Sequence, residues 1–141
     1  MRLILALLCV PLVAYADLAK ARAEPKLEKR ARMALDNAED VLKSARQSYG
    51  EGDFDKARGL LQEVAESVDL AFASLKQTGK DPVRSPKPFK QAELKTRGLL
   101  RRLAAFSDEM DLGDRPAVEK VRGAVQKIHD AVLNGIMEGW K

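Results

Sequence analysis

Apolar residues return along this chain at intervals of three and four, and no window alternates in twos as a strand would. From about residue 26 to 49 they are Leu27, Ala31, Ala34, Leu35, Ala38, Val41, Leu42, Ala45 and Tyr49, one stripe on a helix. A second stripe, within 53–78, holds Phe54, Ala57, Leu60, Leu61, Val64, Val68, Ala71, Phe72 and Leu75. A third, within 86–110, holds Phe89, Ala92, Thr96, Leu99, Leu100, Leu103, Phe106 and Met110. The fourth, within 115–138, is Val118, Val121, Val125, Ile128, Val132 and Ile136.

The punctuation agrees with the periods. "GEGD" stops the first helix, and Asp53 is a good N-cap for the second. Gly79 stands where a helix-ending glycine belongs. Ser85 is read as the cap of the third helix with Pro86 pre-set at its first position. Gly113 breaks that helix, Asp114 caps the fourth, and Pro116 lies in its first turn. Four amphipathic helices on short connections predict an all-α fold, an antiparallel up-down-up-down four-helix bundle. The longer connection between the second and third helices leaves two packed helical hairpins as a variant.

The N-terminus reads differently. Arg2 precedes an apolar run from 3 to 13, and Ala14-Tyr15-Ala16 offers a small-x-small processing pattern. Residues 1–16 are therefore expected to be a signal peptide, with 17–141 a single helical domain and no transmembrane anchor in the mature chain. Removing residues 1–16 takes away Arg2 and Cys9. The whole chain has 25 basic and 21 acidic residues, so 24 against 21 remain, a net charge of +3 with no thiol. An exported domain without disulfides suits a periplasmic or extracellular location in a bacterial envelope.

"YGEGDFDKARGLL", residues 49–61, resembles the turn of a tetratricopeptide repeat, through Gly52-Asp53-Phe54-Asp55-Lys56-Ala57. The resemblance implies a tight helical hairpin there and covers only that hairpin. Ala45, Val64 and Asp69 depart from the repeat's usual residues, and no second copy follows at a period of 34. A single repeat would not form a peptide-binding groove.

The inventory of reactive side chains is short. His129 is the single histidine and Cys9 the single cysteine, which argues against clustered zinc or copper ligands and against Cys-His chemistry. The neighbouring carboxylates Glu39-Asp40 and Asp108-Glu109-Asp111 read as solvated surface. Exported four-helix cytochromes hold haem between a methionine on the first helix and a histidine on the last. Met33 and His129 occupy comparable heights, but the helical wheel turns Met33 to solvent and places His129 at the edge of its stripe. No cofactor and no metal are expected, and no catalytic residue is nominated.

Charge supplies the remaining feature. From Lys76 to Arg102 there are nine basic residues and two acidic ones, +7 over 27 residues in a chain of net +4. Lys87, Lys90, Arg97 and Arg101 fall in one arc of the third helix, flanking Leu94 and Gly98, and these six residues are the candidate partner-binding site. The acidic segment "SDEMDLGD" that follows is a source of internal neutralisation. Gly59, Gly98 and Gly123 each stand mid-helix off the stripe, where a second backbone could approach. The functional expectation is an exported, non-catalytic helical protein acting by binding or scaffolding. Its partner would be an envelope protein, an acidic polymer or a second copy; nucleic acid is disfavoured. The alternative is a bundle that carries a small ligand between its helices. N-terminal sequencing of exported protein should read Asp-Leu-Ala-Lys from Asp17; an intact Met1 or another start would refute the leader assignment.

Overall fold

The computed structural model describes residues 13–140, with side chains from Asp17 onward. The expected leader, 1–16, lies outside the residues whose side chains are described. Among the described residues there are five α-helices and no strand: α1 (Val13–Ala23), α2 (Leu27–Gly50), α3 (Phe54–Gln77), α4 (Lys87–Glu109) and α5 (Arg115–Glu138). Helices α2 to α5 reproduce the four periodic segments to within a residue or so at each end. The stretch after the expected processing point was not read as an element. It is helical, and Leu18 and Ala21 bury it against α2 and α3.

The turns follow local chemistry. Gly52 sits at φ +83° between α2 and α3, and the Asp53 carboxylate accepts the Lys56 amide at 3.3 Å. Gly79, at φ +68°, follows α3, in the left-handed conformation that a side chain would strain. Two caps differ from expectation. Helix α4 begins at Lys87, with Pro86 in the cap position and no side-chain cap bond. The Ser85 amide instead closes the preceding loop onto the Asp81 carbonyl, at 2.8 Å. Asp114 does not cap α5 through its carboxylate, which accepts the Tyr49 hydroxyl at 2.9 Å.

The helices associate as two hairpins, α2/α3 and α4/α5, each the most extensive contact of its members. The hairpins lie side by side, α3 along α5 and α2 along α4, while α3 meets α4 only slightly. Direction follows from the cross-contacts. The C-terminal ends of α2 and α4 meet through Tyr49 and Phe106, with ring centroids 5.7 Å apart, so these two helices are parallel. The C-terminal ends of α3 and α5 meet through Phe72 and Trp140, 5.9 Å apart, so α3 and α5 are parallel as well.

The core unites Leu35, Val41 and Leu42 with Leu61, Val64, Val68 and Leu75, then Phe89, Leu99, Leu103 and Phe106, then Val118, Val125 and Val132. On α2 much of the buried surface is alanine, at 31, 34, 38 and 45. Phe54 departs from its expected stripe: it is 47% exposed and leans on Tyr49 at the end of the hairpin. Met33, expected to face solvent, is partly buried against the core.

The three off-stripe glycines have open space around them. A Cβ at Gly59, Gly98 or Gly123 would meet no neighbouring heavy atom within 4 Å, so no backbone among the described residues uses the room. Alanine at all three should raise stability by about 2–3 kcal/mol, near 1 kcal/mol per site, as urea denaturation would measure. No gain would mean that the glycines serve a contact that alanine disrupts.

Candidate functional site

Parallel packing of α2 and α4 is uneven along their length. At the C-terminal end the two helices are clamped. The Tyr49 hydroxyl accepts the Asp111 amide at 3.0 Å while donating to Asp114, and Arg46 grips Glu109 with two nitrogens. That contact holds the Glu109 carboxyl below its ordinary range and raises the Arg46 guanidinium.

Toward the N-terminal ends the helices part and leave an open groove of about 740 Å³. Ala31 and Leu35 of α2, Leu75 of α3 and Ala92 of α4 form its floor. Glu28, Arg32, Asp36 and Glu39 make one rim; Lys87, Pro88, Gln91, Leu94 and Lys95 make the other. Lys95 reaches across the gap to Glu39 at 3.0 Å and Asp36 at 3.1 Å. The hydrogen bond to Glu39 is the main reason that the Lys95 ammonium is held above its usual pKa.

This geometry divides the six nominated residues. Lys87 and Leu94 line the groove, and Leu94 is 59% exposed. Lys90 and Arg101 are exposed on the outer face of α4, with no charged partner among the described residues. Gly98 is half-buried on the same helix. Arg97 is not free to meet a partner as a bare charge: Glu93, itself 7% exposed, accepts from its Nε at 2.9 Å and from Nη2 at 2.6 and 2.7 Å. The strip expected to be continuous is therefore interrupted. Lys80 pairs with Glu28, Arg84 stands 3.9 Å from Asp81, and Lys95 is held by α2. Neutralisation comes from α2 and from within α4. The acidic segment at the end of α4 and just beyond it instead meets Arg46 and Tyr49, through Glu109, Asp111 and Asp114.

Periodicity could not show the buried polar groups. His129 is 8% exposed, with Nδ1 at 2.9 Å from the Thr96 hydroxyl. The same hydroxyl lies 2.9 Å from the Ala92 carbonyl and 3.1 Å from that of Glu93, within the turn that precedes it on α4. The Nε2 of His129 faces Glu93 at 3.9 Å. Met33 and His129 are not brought together, because α2 and α5 do not pack against each other. Between α2 and α3, Asn37 donates to the Ser67 hydroxyl at 2.9 Å.

Glu63 is the exception to this pairing. It is 2% exposed, and neither carboxylate oxygen has a hydrogen-bond partner. Burial pushes its carboxyl above the ordinary value of 4.5; Glu66 and Asp17 add to the rise and Arg22 opposes it. Among the described residues no cluster of three or more His, Cys, Asp or Glu could hold a metal, and no helix is long and apolar enough to cross a membrane. No protein-family model, curated protein or solved structure matches the chain.

Glu63 supplies a pH test. Its folded pKa exceeds the unfolded one, so the native state binds the extra proton; this contribution is complete below about pH 4.5 and is lost as pH rises through the raised value. Glu63→Gln should then unfold at higher urea than the parent at pH 7 and at a similar concentration near pH 4. Curves that stay parallel across that window would mean that the Glu63 pKa is the same folded and unfolded, and that burial does not raise it.

Proposed function

We propose that the chain is an exported four-helix bundle, α2 to α5 with α1 as a strap, that acts in the cell envelope by binding a partner protein rather than by catalysis. The observation that carries this reading is the groove between α2 and α4. It combines an apolar floor, a strongly exposed leucine at its lip and charged rims of both signs. A segment with an apolar face and mixed charges complements such a surface, as when an amphipathic helix lies in a groove. The rim charges already paired across the groove contribute little affinity, because exchanging one ion pair for another is nearly neutral. Affinity would come from burying Leu94 and the floor, at about 1.5–3 kcal/mol for one large aliphatic side chain.

A second reading rests on the groove's size. A volume of about 740 Å³ falls within the range of roughly 300–1,000 Å³ typical of small-molecule sites. An apolar molecule could lie along Leu35, Ala92 and Leu94, which is the ligand-carrier alternative.

The two readings separate in one experiment. A photoreactive residue at Gln91 should form a discrete protein adduct in living cells, while the same residue at Lys127, exposed on α5, should not. Leu94→Ala should weaken that association by about tenfold, as expected for an anchor residue at the edge of an interface. Equal adducts at both positions, or none at Gln91, would remove the groove as a protein site. Small-molecule density in the groove of purified protein would then favour the carrier.

A further inference from the structure

One end of the molecule gathers the start of α2, the α3–α4 loop, the start of α4 and the end of α5. Lys80 of the loop meets Glu28 of α2, and the Val83 side chain lies 3.8 Å from the Cβ position of Gly139, just before Trp140. The end is basic: Lys26, Lys29, Lys80, Arg84, Lys87 and Lys90 are all exposed there. The acids among them are largely engaged. Glu28 holds Lys80, Glu24 stands 3.4 Å from Lys29, and Asp81 accepts the Val83 amide at 2.9 Å while facing Arg84. A shallow hollow of about 600 Å³ at this end is bordered by Lys26, Lys29 and Arg32, with Glu28 among them. The far end carries the opposite sign, with exposed Asp53, Asp55, Asp108 and Asp111. Charge is thus polarised along the helix axes.

The basic end also shows apolar side chains to water. Val83 is 51% exposed, Met137 70% and Trp140 36%. Trp140 is not a loose tail. Its ring meets Phe89 and Phe72 edge-on at 5.7 and 5.9 Å, with the Lys76 ammonium 5.8 Å from its centroid. It also covers Gly135, where a Cβ would come within 2.9 Å of the indole. An indole fixed on a rigid base, partly wet and with the Lys76 ammonium beside it, suits a membrane–water interface.

We propose that this end is a docking site for an anionic lipid surface, adjoining the α2/α4 groove, with which it shares Arg32 and Lys87. A soluble polyanion would satisfy the lysines and leave Val83, Met137 and Trp140 in water. A negatively charged bilayer satisfies both, taking the apolar side chains into the headgroup region while the lysines meet phosphates. The polarised charge would orient the molecule with its acidic end away from the membrane.

Trp140 is the only tryptophan in the chain, so its fluorescence reports on this end alone. This matters because the apolar run at 3–13 could hold the full chain on vesicles of any charge. Full-length protein would be mixed with vesicles containing brominated phosphatidylcholine, with and without an equal part of phosphatidylglycerol. The expected result is a blue shift and bromine quenching of Trp140 on anionic vesicles only, reversed by about 0.5 M salt. Lys26→Gln with Lys90→Gln, neither in the groove, should weaken this signal about thirtyfold, near fivefold per lysine, with helicity unchanged by circular dichroism. Three results would overturn the proposal: no quenching on anionic vesicles, equal quenching on neutral ones, or undiminished quenching in the double variant. Sedimentation with vesicles while Trp140 stays unquenched is a case of the first and would place the attachment elsewhere.

Discussion

The α2–α3 contact is the constraint from which the remaining geometry follows. Helix α2 buries alanines at 31, 34, 38 and 45, so it offers a shallow surface over much of its inner face. Short side chains let a partner helix approach closely, and α3 fills the contact with Leu60, Leu61, Val64, Val68 and Leu75. The second hairpin carries the two fully buried phenylalanines, Phe89 and Phe106, with Leu99 and Leu103, and rests on α3 chiefly through α5. Helix α4 therefore meets α2 across a surface where alanines at 31 and 92 leave space unfilled. A groove opens where those alanines face each other, and it closes where Tyr49 and Phe106 supply bulk.

The basic stretch acquires its meaning from the same arrangement. Parallel packing puts Glu28, Asp36 and Glu39 of α2 beside the basic N-terminal half of α4. Lys80 and Lys95 are consumed by it as cross-links. Had the helices run antiparallel, Lys95 would have faced the other half of α2, with Lys43 and Arg46. Positive charge that α2 does not reach collects beyond the helix starts, where the loop and the chain end bring exposed apolar side chains with it.

Helix boundaries were legible because they depend on neighbours in sequence. The stripes, Gly52 and Gly79 at positive φ, and the Asp53 cap all act within a few residues. Helix α1 was hidden because two buried residues, Leu18 and Ala21, make too short a stripe to stand out beside an apolar leader. Pairing was not legible either: the same four stripes serve a ring of consecutive neighbours or two stacked hairpins. The nominated residues suffered from that gap. A wheel drawn for α4 alone shows Arg97 on an outer arc with Glu93 one turn before it, a pair that was legible, and only the tertiary structure adds His129 against Glu93. Leu94 was legible as an outward apolar residue, but the groove it borders needs both helices.

The unfavourable features of the chain are not spread evenly. Unfilled glycines at 59, 98 and 123 each cost about 1 kcal/mol relative to alanine. A buried carboxyl without partners costs about 1–3 kcal/mol. Against a net stability of roughly 5–15 kcal/mol for a natural domain these are large amounts. The glycines lie off the buried stripes, and Glu63 lies toward α1, with Asp17 and Arg22 near enough to act on its charge. None sits among the alanines, leucines and valines that join α2 to α3. Tolerance of this kind requires a seam strong enough to carry the deficit. It also leaves α1, anchored by Leu18 and Ala21 beside an unpaired acid, as the element that the rest of the molecule holds least firmly.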